Sequence, residues 1–255
     1  MENFVDYGFP YPNDLVMTFV GGSQLHGAKL IGRDDTDWYG AFIEPPERAL
    51  GLDGFPHFVF TTGGQRGGNR PHDVDVCLYS VRKCAALAAK GNPSVLHFLF
   101  AKPEYKTAIW ERFAADPAPF LAKSHIKAFL GFANDQLRRL LNQRAKDVNR
   151  PEIVDQFGYD TKYAMHIIRL YGEGKELMEV GQITLPRPNS NELIAIRQGK
   201  YKLHELKELA YQLEQEAIAA SEKTSLPDRV DRKEISRRLA EAYEAHWTLR
   251  ELQTR

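Results

Sequence analysis

The stretch Gly21-Gly22-Ser23-Gln24-Leu25-His26-Gly27, followed by Asp34-Asp35-Thr36-Asp37-Trp38-Tyr39-Gly40, decides how this chain is read. The apolar run Leu15 to Val20 leads into a Gly-Gly-Ser turn, the way a buried strand delivers an anion-binding loop. Asp35 and Asp37 are one residue apart, and alternate side chains of a strand point the same way, so the two carboxylates share a face. Two carboxylates on one face beside a glycine turn can hold Mg²⁺ and a triphosphate together. The amide end of a short helix beginning at Ser23 adds a positive dipole facing the turn. Ser23 is read both as a cap for that helix and as a side chain touching phosphate, roles that are compatible. His26 is read either as a nucleotide contact or as a fold residue.

Working outward, Thr36 to Ile43 reads as a second strand closed by Glu44-Pro45-Pro46, and His57 to Phe60 as an edge strand. The run His72-Asp73-Val74-Asp75-Val76-Cys77-Leu78-Tyr79-Ser80 alternates strictly, which puts Asp73, Asp75 and Cys77 on one face. That strand can supply a third carboxylate, and Asp75 sits deeper in it than Asp73. Between these strands lies a glycine-rich loop with Arg66 and Arg70, read either as a hairpin tip or as phosphate or RNA contacts. It is not a P-loop, because no Gly-Lys-Ser/Thr ending follows. Ser80 caps a helix that Gly91-Asn92-Pro93 stops, and Ser94 opens another.

From about Thr107 the pattern turns helical. A long helix is expected over Phe120 to Asp147, with an apolar stripe and a basic face bearing Arg138, Arg139, Arg144 and Lys146. In the next helix Lys162, His166 and Arg169 recur at i, i+4 and i+7 and so share a face. Three bases on a buried-looking helix ask for an anion opposite them, a triphosphate or the carboxylates themselves, unless the face is simply exposed. Further helices are expected over Glu192 to Lys200, Lys202 to Ser221 and Arg229 to Thr254, the last packing on the bundle or serving a partner.

The totals are consistent with this reading. The chain has 255 residues and a formal net charge of zero, so no global basic field announces nucleic acid. Cys77 and Cys84 lie in apolar contexts without ligand spacing and read as buried free thiols. No apolar run approaches the ~20 residues that span a bilayer. A cytoplasmic protein without membrane contact is expected.

A Gly-Ser turn, then Asp-x-Asp, then a third acid on a later strand resembles the signature of the DNA polymerase beta nucleotidyltransferase superfamily. The continuation Asp37-Trp38-Tyr39-Gly40-Ala41-Phe42-Ile43 resembles one branch, the predicted nucleotidyltransferases associated with RNA ligases. The runs Leu78 to Lys83, Lys90 to Phe100 and Lys162 to Tyr171 resemble the same branch. The chain departs from it in the crowded Arg33-Asp34-Asp35 and in Gln24-Leu25-His26, where relatives often carry a basic and aromatic pair.

The resemblance favours Asp75 over Asp73 as third acid. It implies an α+β fold, with a catalytic domain over residues 1–104 and a helical domain over 105–255 completing the cleft. It further implies transfer of a nucleoside monophosphate from a nucleoside triphosphate to a hydroxyl, an RNA end above others, with release of pyrophosphate. Asp35, Asp37 and Asp75 would bind two Mg²⁺, while Gly22, Ser23, His26, Lys162, His166 and Arg169 would bind the nucleotide. A protein or small-molecule acceptor is the first alternative, and a non-catalytic nucleotide- or RNA-binding module the second.

Overall fold

The computed structural model describes residues 2–30, 32, 34–62, 73–141 and 151–254. Arg66, Arg70, Arg144 and Lys146 lie outside the described residues. The fold is α+β. Five strands, β1 (Leu15–Val20), β2 (Thr36–Phe42), β3 (His57–Thr61), β4 (Val74–Ser80) and β5 (Tyr105–Lys106), form one sheet in the order β3-β4-β2-β1-β5. β2 and β4 run parallel, and the other neighbours are antiparallel.

Alternation gives the sheet two different faces. Trp38 of β2, Val76 and Leu78 of β4, and Phe58 and Phe60 of β3 pack against Phe4, Phe9 and Tyr11 of the aromatic lead-in. That lead-in is ordered as two short 3₁₀ turns, Phe4–Tyr7 and Pro12–Asp14. The opposite face carries Asp37 and Asp75.

Short helices follow the sequence signals, with small shifts. α1 is a single turn, Gly22–Leu25, rather than a helix from Ser23 to Leu30, and its N-cap is Gly21. α2 is Pro46–Leu50 and α3 is Val81–Ala88, the latter capped by the Ser80 hydroxyl on the Lys83 N–H. α4, Pro93–Phe100, opens one residue earlier than expected, with Asn92 as cap and Pro93 in the first turn, where a missing N–H costs nothing. After α5 (Ala108–Ala114), two 3₁₀ turns replace the first part of the expected long helix, and α6 spans Ile126–Leu141.

The remaining helices are α7 (Pro151–Phe157), α8 (Thr161–Val180), α9 (Ser190–Arg197), α10 (Leu203–Lys223) and α11 (Arg232–Thr254). α8 is the hub. Ala164, Met165, Ile167, Ile168, Tyr171, Leu177 and Met178 are all buried, and α6, α9 and α10 pack around it. One apolar core runs from Met17 and Phe19 of β1 through α4 and α8 to Ala242 of α11. No helix among the described residues is long and apolar enough to cross a membrane.

α11 returns to the sheet. Its His246 lies 2.9 Å from the Asp14 carboxylate, Trp247 donates its indole N–H to the Glu44 carbonyl at 2.9 Å, and the Tyr243 hydroxyl donates to the Glu44 carboxylate. The Glu44 side chain is 0% exposed, and its nearest cation, Arg82, is 3.8 Å away. Tyr243→Phe therefore strips a buried carboxylate of its hydroxyl donor, at an expected cost of about 1–3 kcal/mol. The urea midpoint should fall at unchanged slope; a wild-type midpoint would mean that Arg82 alone satisfies Glu44.

Candidate active site

The site starts from strand register. In the parallel pair, Asp37 of β2 lies directly opposite Asp75 of β4, and Thr36 opposite Val74. Asp35 precedes β2 by one residue and is buried. One oxygen from each of Asp35, Asp37 and Asp75 lies within 4.8 Å of the others. Oxygens ligating a single Mg²⁺ at ~2.1 Å sit at most ~4.2 Å apart, so the trio is at or near ligating separation. Asp73 stands outside it; its carboxylate accepts from the Thr62 hydroxyl and its carbonyl from the Thr36 N–H.

Three acids so close repel one another. Burial and then the charge of Asp35 push the Asp37 carboxyl up to about 6; Asp75 adds to the rise, and Lys162 of α8 opposes it. A set of hard oxygen donors that cannot all ionise comfortably alone is what a divalent cation stabilises, so these residues fit Mg²⁺.

The turn is built against the trio. Gly22 has φ +56°, and a Cβ there would stand 1.8 Å from Oδ2 of Asp37. A Cβ at Gly21 would meet the Tyr39 ring at 2.2 Å. Both glycines are thus required by close approach of the turn to β2. Gly21 also donates its N–H to the Asp37 carbonyl at 2.7 Å. Ser23 is buried, and its hydroxyl donates to Asp34 at 2.9 Å. Asp34 also accepts from the Leu30 N–H at 2.7 Å and from both terminal nitrogens of Arg197, at 2.5 and 2.6 Å. Burial alone would raise the Asp34 carboxyl, but Arg197 and the Leu30 N–H outweigh it and hold it at about 2.

The basic row on α8 divides in two. Lys162 is half-buried at the first turn of α8 and acts electrostatically on Asp37. His166 is half-buried one turn on. Arg169 is buried, and the anion opposite it is Glu173 of its own helix, 2.8 Å away and 0% exposed. Glu173 also lies 3.3 Å from Nδ1 of His26 and 3.2 Å from Nε2 of His97 in α4. Burial would raise Glu173, but Arg169 and His97 keep it well below the usual carboxylate range. Burial and then Arg169 push His26 well below the usual histidine range, so its ring is neutral at pH 7.

The structure thus brings Asp35, Asp37 and Asp75 together, sets Gly22 against them and puts Lys162 in electrostatic reach. It ties His26 and Arg169 to Glu173, and the Ser23 hydroxyl to Asp34. Four participants were missed from sequence: Asp34, His97, Glu173 and Arg197. Glu173 alone had a local signal, since it continues the Lys162, His166, Arg169 face four residues further. Cys84 is buried and Cys77 half-buried beside the acids, and both are free thiols.

The model of the RNA repair pathway DNA polymerase beta family matches residues 11–253 of the chain. No curated protein matches it.

The Asp37 carboxyl gives a signed prediction. Its rise from the ordinary 3.8 to about 6 means that the metal-free fold gains stability from Asp37 protonation below about pH 4 and has lost that gain once pH passes about 6. Asp37→Asn should therefore stabilise the protein in EDTA at pH 7.5, by at most about 3 kcal/mol, and leave it unchanged near pH 4. Urea melts at the two pH values check this. Equal melts for both proteins at pH 7.5 would show that the trio is not strained.

Proposed function

The chain belongs to the RNA repair pathway DNA polymerase beta family, and from that and the site geometry we propose that it is a nucleotidyltransferase acting on RNA ends. The observation that carries this reading is the convergence of Asp35, Asp37 and Asp75 within 4.8 Å, directly against the Gly22 turn. The family description supports RNA as the acceptor class, since it names an RNA repair pathway.

Asp35, Asp37 and Asp75 would hold Mg²⁺, two ions in the reading from sequence, which when bound neutralises phosphate charge and lowers the pKa of the attacking hydroxyl. The acceptor hydroxyl oxygen bonds to the α-phosphorus of the triphosphate as the bond from that phosphorus to the α,β-bridging oxygen breaks. Pyrophosphate leaves with that electron pair, and the hydroxyl proton passes to a carboxylate of the trio.

The protein's own work is positioning and electrostatics. The backbone N–H groups of Gly22 and Ser23, at the start of α1, face the β and γ phosphates. The Ser23 hydroxyl serves the turn through Asp34. Lys162, already in electrostatic reach of Asp37, adds positive charge to the same phosphates. Of the remaining nucleotide contacts proposed from sequence, His166 stays on that face, while His26 and Arg169 act from behind it through Glu173.

The experiment is incorporation of each α-labelled nucleoside triphosphate into total RNA with Mg²⁺. Label is expected with wild-type protein, and Asp35→Asn or Asp37→Asn should reduce the rate by at least about 10²–10³-fold. The preferred triphosphate names the base. Pyrophosphate release that depends on added protein or small-molecule extract, without label in RNA, would move the acceptor. Triphosphate binding without turnover under all conditions would replace transfer with a binding role.

A further inference from the structure

The loop joining β1 to β2 carries both halves of the proposed site, the Gly22-Ser23 turn at its start and Asp35 at its end. It is held from behind by one side chain of the helical region. Arg197, the last residue of α9, reaches Asp34 with a two-pronged contact, Nη1 to Oδ2 at 2.5 Å and Nη2 to Oδ1 at 2.6 Å. Nη1 also donates to the Ala28 carbonyl at 2.7 Å. The two side chains are 7% and 4% exposed. Asp34 in turn accepts hydrogen bonds from the Ser23 hydroxyl at 2.9 Å and from the Leu30 N–H at 2.7 Å.

The guanidinium thus holds Ala28 and Asp34 directly, and Ser23 and Leu30 through Asp34. The segment leading into α9 seats the same loop: the Arg187 N–H donates to the His26 carbonyl at 3.3 Å, and a Cβ on Gly27 would touch Pro186 and Ser190 at 3.2 and 3.0 Å.

Asp34 is a fourth carboxylate beside the trio, yet its two oxygens are both engaged by Arg197. It is therefore committed to the loop and is not offered to a cation. The Ser23 hydroxyl has one proton, and it goes to Asp34. The pair consequently engages the Ser23 side chain through Asp34. Asp35 follows this pinned neighbour directly and leads into β2. A lysine could replace the charge of Arg197 but not its planar fork.

We propose that Arg197 is a positioning residue for nucleotidyl transfer: through Asp34 it sets the phosphate-facing turn and the carboxylate of Asp35 together. The inference rests on the transferase reading above and adds to it a residue that touches neither nucleotide nor metal. Arg197 should therefore act on metal and triphosphate affinity, beyond any effect on folding.

The test uses full-length wild type, Arg197→Lys, Arg197→Met and, as a control for lost stability, Tyr243→Phe. Mn²⁺ affinity is read by electron paramagnetic resonance without nucleotide, triphosphate affinity by equilibrium dialysis with Mn²⁺, and folding by thermal melt. Arg197→Met should weaken Mn²⁺ or triphosphate binding by about tenfold to a hundredfold, the range for groups that orient metal ligands. Arg197→Lys, which keeps the charge in the core, should fold and show a smaller loss in the same direction. Tyr243→Phe should melt earlier with wild-type affinities.

Wild-type affinities in a folded Arg197→Met or Arg197→Lys protein would overturn the inference while leaving the transferase reading intact. Failure of wild type itself to bind Mn²⁺ and triphosphate would remove the transferase reading, and this inference with it. Equal losses of affinity in Tyr243→Phe and Arg197→Lys would reduce Arg197 to a stability residue.

Discussion

Everything at this site depends on the in-register parallel pairing of β2 with β4. It sets Asp37 beside Asp75, and a slip of one residue would turn one of the two carboxylates to the back of the sheet. The register is held from the opposite face. Trp38 and Val76 are also paired across the two strands, and both pack into the aromatic layer supplied by Phe4 and Phe9. The lead-in that looks least like chemistry is therefore what keeps the carboxylates in line. Its burial of large rings offsets part of the cost of holding three acids together.

A second constraint comes from the helices. Two buried charge clusters close on the β1–β2 loop, one centred on Glu173 of α8 and one on Arg197 of α9. Buried ion pairs seldom add much stability, because both partners lose water. Their better-attested use is to select one geometry among several, and here both clusters hold the loop that carries the Gly22 turn and Asp35. The clusters also explain why α8 is so polar for a central helix. Its Arg169 and Glu173 neutralise each other in the core, and His26 stays uncharged, which leaves Lys162 to act on the acids.

The carboxylates were legible in the sequence because the signals are local. Asp-x-Asp and the strict alternation around Asp75 need only strand geometry, and the choice of Asp75 over Asp73 agrees with the pairing to Asp37. The α+β class came with the family resemblance, and the strand alternation and the helical periodicity after Thr107 agree with it. Helix boundaries were less legible. Around Pro117 and Pro119 the chain makes 3₁₀ turns before α6 begins, since helical periodicity does not report where the first backbone hydrogen bond forms. The clusters around Glu173 and Asp34 were not legible, because each joins elements far apart in the chain. Nothing near Asp34 announces that its partner is Arg197; the sequence presents only crowded charge. The destination of α11 was likewise not legible, because Glu44 and Asp14, which hold it, lie far away in the chain.

The spacing of one such pair has a consequence for how the protein comes into being. Asp34 and Arg197 are 163 positions apart. A ribosome that has made β4 has already delivered every carboxylate of the trio, but the guanidinium that holds Asp34 is still to be translated. The acids therefore precede, during synthesis, the contact that anchors Asp34, which can form only after α9 has been added. The site is complete late, when the chain has nearly all of its core to fold around it.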